Sequence, residues 1–306
     1  MRYRWSLAAV VALGTLVTAQ SALILAQAPQ RALYVSVVDR KGQPAPNIGP
    51  NDLIIREDNV AREILRVTPA TDPIQIALLV DTSQAARDFI RDYRQAVPAF
   101  LDLVLGEESS GQNQVALIGI GERPTILTDY TRDRAALTEG VNRLFSLTQS
   151  GTYLLDGILE VSQGFKKRGA ERAVIVAIVS EGPELSNRNY RLVLDELEDA
   201  GATLHIVAIG TPVNRNEDRS LTMSMGTKNS GGRYDTVLIS SALTTRLQDL
   251  AREINGQYRV TYARPESLIP PEKIEVSAKR SGLTARGIPV PQPQVRPAGR
   301  DPGGRP

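Results

Sequence analysis

The sequence contains no cysteine, and it contains only one histidine and one tryptophan. Without cysteine the protein can form neither disulfide bonds nor thiolate metal sites, and a cysteine nucleophile is excluded. Aromatic residues make up only 5% of the chain, and the formal net charge is +2. Because no dense basic run with interleaved aromatic side chains occurs, we set nucleic acid aside as a partner. The hydrophobic content of 42% is ordinary for a soluble globular protein.

The first residues have the composition of a secretory signal peptide. Arg2 and Arg4 form a basic start, an apolar stretch follows from Leu7 to Ala26, and small residues mark its end. This order is typical of a signal peptide, here residues 1–26. A retained membrane anchor is the alternative, because the stretch approaches the ~20 residues that span a bilayer.

Cleavage near Ala26 leads us to expect an exported protein, periplasmic or secreted, with no stable membrane span. It removes two arginines, which leaves Lys and Arg equal in number to the 34 Asp and Glu residues. The mature chain is thus formally neutral, and its basic residues are scattered along the sequence.

The central residues 72–256 alternate apolar runs with helical patterns. The runs are continuous, as in strands that are covered on both faces; they are Ile74–Val80, Val115–Ile120, Ala173–Val179 and Leu204–Ile209. Apolar residues also recur at helical spacing, in stripes over Phe89–Val104, Leu137–Phe145, Leu154–Phe165, Tyr190–Leu197 and Leu243–Ile254. The alternation predicts an α/β fold with a doubly wound, mainly parallel sheet of the Rossmann-like kind.

The two flanks are typical of β structure. Residues 31–71 contain short β-branched and apolar segments separated by turns, and residues 257–280 contain two more. Three short strands are too few for a free-standing sandwich. We therefore predict a small flanking β module in which the N-terminal strands pair with the C-terminal ones. Prolines and glycines accumulate towards the end of the chain, so residues 281–306 are predicted to form a disordered tail.

Oxygen-bearing side chains follow the apolar runs of the centre. Asp81 and Ser83 come after the first run, Glu181 comes after the third, and Thr152 lies in a loop that opens a helix. Ligands of open α/β sheets bind beyond the carboxyl ends of the strands, so these residues are expected at one edge. Hard oxygen ligands of this kind suit Mg²⁺ or Mn²⁺ rather than zinc or copper.

Three segments around these residues resemble those of a known family. The first reads LLVDTSQA, the second SGTYLLDG and the third IVSEG. In order and spacing they are similar to the metal-ion-dependent adhesion site of von Willebrand factor type A domains, whose first segment has the pattern Asp-x-Ser-x-Ser. The resemblance covers about residues 72–256. The flanking strands resemble those of a bacterial group of exported proteins related to this family.

The resemblance carries over to the metal site only in part. Asp81, Ser83 and Thr152 match the family's ligand positions, whereas Ala85 replaces the second serine and removes an oxygen ligand. Glu181 stands where the family has aspartate and is longer by one methylene. Since Mg²⁺ demands near-octahedral geometry, both changes should weaken binding. Bound Mg²⁺ or Mn²⁺ and a metal-free site are equally compatible with the sequence.

Each of these residues also has an interpretation that needs no ligand. Asp81, Ser83 and Thr152 can each cap a following helix, and Glu181 can be a solvated loop acid. His205, the only histidine, lies inside the last apolar run. We interpret it as a packed strand residue rather than as a catalyst.

The resemblance implies a protein-binding or adhesion module and no enzymatic activity. In the family, an open coordination position of the metal accepts an acidic residue of the partner, which is therefore one expectation here. We expect Gln84, Tyr153 and Glu122, in the loops around the site, to contact the partner. One alternative is a metal-independent scaffold of an envelope assembly. A carboxylate- or metal-assisted hydrolase is the other, although no Ser–His pair and no second histidine support it.

Overall fold

The computed structural model describes residues 30–106, 111–211, 216–265, 269, 271 and 273–291. The signal peptide predicted for residues 1–26 lies outside this range, as do residues 292–306 of the predicted tail. In the described part of the chain, no helix has the length and apolar character needed to cross a membrane.

The chain forms thirteen strands over the described residues. They are β1 (Gln30–Val38), β2 (Leu53–Glu57), β3 (Val60–Arg62), β4 (Ile64–Pro69), β5 (Gln75–Val80), β6 (Gln114–Gly119), β7 (Thr125–Thr131), β8 (Ala173–Ser180), β9 (Thr203–Ile209), β10 (Tyr234–Val237), β11 (Tyr258–Ala263), β12 (Ile274–Ala278) and β13 (Thr284–Pro289). The α-helices are α1 (Ile90–Val104), α2 (Arg134–Asn142), α3 (Leu154–Arg168), α4 (Tyr190–Asp199), α5 (Glu217–Leu221), α6 (Thr227–Asn229) and α7 (Leu243–Asn255). A 3-10 helix over Gln84–Phe89 precedes α1, and a π-helical segment over Thr222–Gly226 joins α5 to α6.

Six strands form the central sheet, in the order β10-β9-β8-β5-β6-β7. Neighbouring strands are parallel except for the edge strand β7, which is antiparallel to β6. All residues of β8 and β9 are buried, which agrees with the continuous apolar runs that predicted them. The strand order runs outward from β5 on both sides, through β6 to β7 and through β8 to β10, so a crevice is expected at the carboxyl edge beside β5 and β8.

Helices cover both faces of the central sheet. Residues of α1, α2 and α7 pack on one face, in a core that includes Phe100 and Leu247. Residues of α3 and α4 pack on the other face, in a second core that includes Ile158 and Leu197. Two apolar cores on opposite faces are the mark of a doubly wound sheet.

The remaining strands form a β module beside the central sheet. One of its sheets has the order β13-β1-β11-β4, and the other has the order β12-β2-β3. Leu33, Ile55, Val260 and Tyr262 are buried in the core between them. Strands from the two ends of the chain are thus hydrogen-bonded neighbours. The predicted fold class, a mainly parallel α/β sheet with a small flanking β module, is confirmed.

Two local predictions were wrong. The tail was predicted to begin at about Ser281, yet Thr284–Pro289 form β13 and pair with β1. Ala285 and Ile288 are buried there, a contribution that the surrounding glycines and prolines concealed. Phe145 was assigned to a helical stripe, but α2 ends at Asn142 and the Phe145 side chain is 60% exposed.

Candidate functional site

The candidate site is built from loops at the carboxyl edge of the central sheet. Residues 81–84 follow β5, residues 120–124 follow β6, and residues 181–189 follow β8. A fourth loop, residues 143–153, leads into α3 and lies against the others. Gly121 allows close contact, because a Cβ atom there would lie 2.3 Å from the backbone of Thr82.

The carboxylate of Asp81 is the centre of this edge and is fully buried. Its Oδ1 accepts a hydrogen bond from the Ser83 amide at 2.8 Å. Its Oδ2 accepts hydrogen bonds from the Ser180 amide at 3.0 Å, from the Ser180 hydroxyl, and from Thr152 Oγ1 at 3.3 Å. Asp81 thus joins the ends of β5 and β8 to the loop before α3.

Ser83 lies beside Asp81 but uses its side chain differently. It is the N-cap residue of the 3-10 helix, yet its side chain makes no capping hydrogen bond. The Ser83 hydroxyl is buried and has no hydrogen-bond partner within the described part of the chain. The interpretation of Ser83 as a helix cap is therefore wrong.

Thr152 joins the loop before α3 to the loop after β8. Its amide donates to Pro183 O and its carbonyl accepts from the Leu185 amide, both at 2.8 Å. Gly151 makes this pairing possible, because a Cβ atom there would lie 2.6 Å from Leu185 Cγ. The Thr152 hydroxyl donates to Asp81, so it does not cap α3.

The start of α3 is capped from the loop after β8. Tyr153 is the N-cap residue but makes no side-chain capping bond. Glu184 Oε2 accepts from the Leu154 amide at 3.3 Å, and Ser186 Oγ accepts from the Asp156 amide at 3.1 Å. The Glu184 side chain is fully buried, and this burial raises the pKa of its carboxyl group to about 7. Its hydrogen bonds with Ser186 and the charge of Arg219 oppose the rise.

Glu181 lies beside a buried arginine that no motif in the sequence indicated. Arg219 on α5 is 6% exposed, and its Nη1 lies 4.0 Å from Glu181 Oε2. Arg219 Nη2 donates to Ser180 O at 2.9 Å, and Nη1 donates to Gly182 O at 3.2 Å. The guanidinium also lies 3.9 Å from Glu184 Oε2. A positive charge of the protein itself is therefore held at the end of β8.

This arrangement does not fit the octahedral oxygen shell that Mg²⁺ requires. The Asp81 carboxylate already accepts hydrogen bonds from three residues, Ala85 offers no side-chain oxygen, and Glu181 lies beside a guanidinium. Among the described residues, no group of three or more His, Cys, Asp or Glu side chains could hold a metal ion. Two of the family's ligand positions, those of Ala85 and Glu181, therefore differ in ligand chemistry from the family's pattern.

The three residues expected to contact a partner lie in the loops of this edge. Gln84 Oε1 accepts from the Gln149 amide at 2.8 Å, and the Gln84 amide donates to Ser150 Oγ at 3.1 Å. Gln84 therefore holds the loop before α3 in place. Tyr153 and Glu122 line a cavity of about 310 Å³, which we call the edge cavity; its walls are Glu122, Leu147, Thr148, Gln149, Ser150, Gly151, Tyr153 and Leu185.

His205 lies in the middle of β9, away from the carboxyl edge, where it pairs in register with Val176 of β8. It is fully buried, and neither ring nitrogen has a hydrogen-bond partner among the described residues. Burial lowers the pKa of its imidazole to about 4, although the charge of Glu253 opposes this. A neutral imidazole inside the sheet agrees with the interpretation of His205 as a packed residue.

Comparison with known proteins finds one matching family and several similar solved structures. Residues 76–182 match the von Willebrand factor type A domain family. No curated protein matches the chain. Among solved structures, a von Willebrand factor type A protein from Catenulispora acidiphila is 13% identical to this chain. The alignment covers 87% of this chain and 74% of that protein, with a TM-score of 0.49. The corresponding domain of the type V pili tip protein Mfa5 from Porphyromonas gingivalis is 13% identical. The alignment covers 61% of this chain and 96% of that domain, with a TM-score of 0.47.

The pilus adhesin SpaC from Lactobacillus rhamnosus GG is a third similar structure, at 12% identity with coverages of 83% and 47% and a TM-score of 0.45. At such identities and TM-scores, these similarities carry no argument about function. The match over residues 76–182 covers β5, β8 and the loops that surround Asp81. This chain contains a von Willebrand factor type A domain.

Proposed function

We propose that this chain is a protein-binding module that engages its partner at the carboxyl edge of the central sheet without a divalent cation. The proposal includes export to the periplasm or the medium, which rests on the signal-peptide composition of residues 1–26. It also holds that the module catalyses no reaction.

The position of Arg219 is the observation that carries metal-independent binding. A guanidinium beside Glu181 offsets negative charge that a dication would otherwise offset. Its hydrogen bonds to Ser180 O and Gly182 O also fix the backbone at the end of β8. A second, divalent positive charge at this place would be repelled by the first.

A preformed edge supports binding as the function. The Leu147 amide donates to Thr82 O at 2.8 Å, and Gln84 bonds both the Gln149 amide and Ser150. Gln149 is held in the left-handed region with φ of 55°, which is unusual for a residue other than glycine. Because the loops are already ordered, a partner would bind with a small entropic cost.

Burial of the acidic groups argues against the hydrolase hypothesis. Asp81 has no exposed surface and its oxygens are engaged within the protein. Glu181 and Glu184 both lie beside Arg219, at 4.0 and 3.9 Å, so the guanidinium offsets their negative charge. Turnover of ester, phosphate or glycoside substrates that disappears in Asp81→Ala would overturn this part of the proposal.

Selection of binding peptides tests the proposal directly. Peptides displayed on phage would be selected against the purified protein and then tested on Leu185→Asn, which places a neutral polar group of similar size on the edge. Leu65→Asn on β4 is the matched control, because the two leucines are similarly exposed, at 47% and 41%. We expect the selected peptides to lose binding to Leu185→Asn, to retain binding to Leu65→Asn, and to bind equally in EDTA and in Mg²⁺.

Peptides that bind only in Mg²⁺, or that are insensitive to Leu185→Asn, would contradict the proposal. Once a natural partner is known, its dissociation rate separates an adhesion module from a permanent scaffold. Exchange within minutes indicates adhesion, whereas a complex that persists through purification indicates a scaffold.

A further inference from the structure

Several backbone amides around the edge cavity are already used as donors within the protein. Tyr153 donates to Ile120 O at 2.8 Å, and Gln149 donates to Gln84 Oε1 at 2.8 Å. The amides of Thr152 and Leu185 pair with the facing loop. These four amides are therefore not available to bind a carboxylate, whereas a ligand that donates hydrogen bonds does not need them.

The start of α3 does not favour an anion either. A helix N-terminus attracts negative charge through its first amides and its dipole. Here the Leu154 and Asp156 amides are taken by Glu184 and Ser186. The loop after β8 therefore already occupies the groups that would bind a partner's carboxylate.

The charge on the cavity wall is negative. Glu122 is exposed and lines the cavity. The neighbouring Arg123 does not line it. Burial raises the pKa of Glu160 on α3, and the charge of Arg123 opposes this rise, so Arg123 lies within electrostatic reach of α3. Arg219 is buried behind the backbone of Ser180 and Gly182. A cation in the cavity would thus meet an acid without a competing exposed base on its wall.

The apolar walls suit the stem of a long basic side chain. Leu185 is 47% exposed, and it lines the cavity together with Leu147 and the ring of Tyr153. Lysine and arginine bury their methylene groups along apolar surface while the charged end reaches a polar group. A guanidinium or ammonium is also attracted to the face of a tyrosine ring.

We propose that the edge cavity binds a lysine or arginine side chain of a protein partner, with Glu122 as its ion-pair partner. This inference rests on the proposed function, since it names the chemistry of the partner at the same edge. It reverses the charge that the family resemblance implies, which is an acidic residue bound through a metal.

A charge-swap experiment tests the inference on peptides selected against the protein. Peptides that lose binding to Leu185→Asn are expected to share a lysine or arginine. Replacing that residue by glutamine should weaken binding about fivefold, the effect of losing one ion pair with an exposed carboxylate. Glu122→Lys should weaken the same peptides, and peptides with glutamate in place of the basic residue should regain binding to Glu122→Lys.

Glu198→Lys is the matched control, because it makes the same charge change at the end of α4, beside the opposite edge of the sheet. An unchanged unfolding midpoint of Glu122→Lys shows that the exposed substitution leaves the fold intact. Edge-binding peptides that carry an acidic anchor, or that ignore Glu122→Lys, would overturn this inference and leave the proposed function standing. If no selected peptide responds to Leu185→Asn, both proposals fail.

Discussion

Arg219 Nη1 lies 4.0 Å from Oε2 of Glu181, a residue that the family resemblance placed among the metal ligands. The same guanidinium donates to Ser180 O, and Ser180 in turn donates to Asp81. One arginine and one aspartate are thus connected through a single serine. In this protein the edge of a von Willebrand factor type A domain is organised by an internal cation and internal hydrogen bonds.

Removing the internal cation should destabilise the fold. Arg219→Gln leaves Glu181 and Glu184 without their neighbouring positive charge and leaves two carbonyls without their donor. We expect the free energy of unfolding to fall by about 3 kcal/mol, as when one member of a buried ion pair is lost. Urea denaturation would measure it. Arg66→Gln, an exposed arginine on β4, is the control and should unfold like the wild type.

Asp81 and Ser83 should differ in their contribution to stability. Asp81→Asn replaces an acceptor by an amide that cannot accept from Ser83, Ser180 and Thr152 at once, and it should cost about 2–4 kcal/mol. Ser83→Ala removes a buried hydroxyl that has no partner within the described chain, so its cost should stay within about 1 kcal/mol. Both costs should be the same in EDTA and in Mg²⁺. A loss in Ser83→Ala that appears only with Mg²⁺ would reveal a metal ligand.

Glu184 should make the protein less stable as the pH rises. Its folded pKa of about 7 lies above the ordinary value of 4.5, so folding takes up a proton between these two pH values. The associated stability is complete below about pH 4.5 and is lost as the pH rises through about 7, by on the order of 2–3 kcal/mol.

The Glu184→Gln variant has no ionisable group at this position. Relative to the wild type, its free energy of unfolding should increase between about pH 5 and about pH 8. Urea denaturation at these two pH values would measure the difference. Glu198→Gln, at an exposed glutamate, is the control. Parallel pH profiles of Glu184→Gln and the wild type would mean that the Glu184 carboxyl group titrates normally.

His205 should have the opposite pH dependence. Its folded pKa of about 4 lies below the ordinary 6.5, because the buried ring excludes the charged form. The groups that face it are Glu253, which favours the charged ring, and Arg286 and Arg233, which oppose it. Stability that is present above about pH 6.5 is therefore lost as the pH falls towards 4.

His205→Leu removes this titration and two ring nitrogens that have no partner among the described residues. In acid denaturation the variant should retain more of its neutral-pH stability than the wild type. If the two proteins lose stability equally between about pH 6.5 and about pH 4, protonation of His205 does not limit the fold.

The central sheet could be predicted because its strands are buried on both faces. β8 and β9 are continuous apolar runs. The rule that ligands bind beyond the carboxyl ends of parallel strands predicts Asp81 near Thr152, and their oxygens lie 3.3 Å apart. The ligand set of the metal site could not be predicted from these positions alone. Ser83 and Glu181 carry oxygen atoms, but Glu181 lies beside the guanidinium of Arg219, which its sequence neighbours do not indicate.

Arg219 and β13 show what the sequence could not supply. A lone arginine in a short polar helix is usually exposed, so nothing near Arg219 indicated that the end of β8 buries it. β13 contains Gly287 and Pro289 and forms because β1 offers it a hydrogen-bonding edge. In both cases a segment distant in sequence determines the local structure.

The most direct test of metal-independent organisation is thermal unfolding of the purified protein with EDTA, Mg²⁺ or Mn²⁺, alongside Asp81→Ala. A ligand at about 100 times its dissociation constant stabilises the folded state by about 2.7 kcal/mol, which shifts the midpoint measurably. We predict that neither ion at millimolar concentration moves the midpoint of the wild type. A midpoint that rises with Mg²⁺ or Mn²⁺, and that no longer rises in Asp81→Ala, would contradict the account.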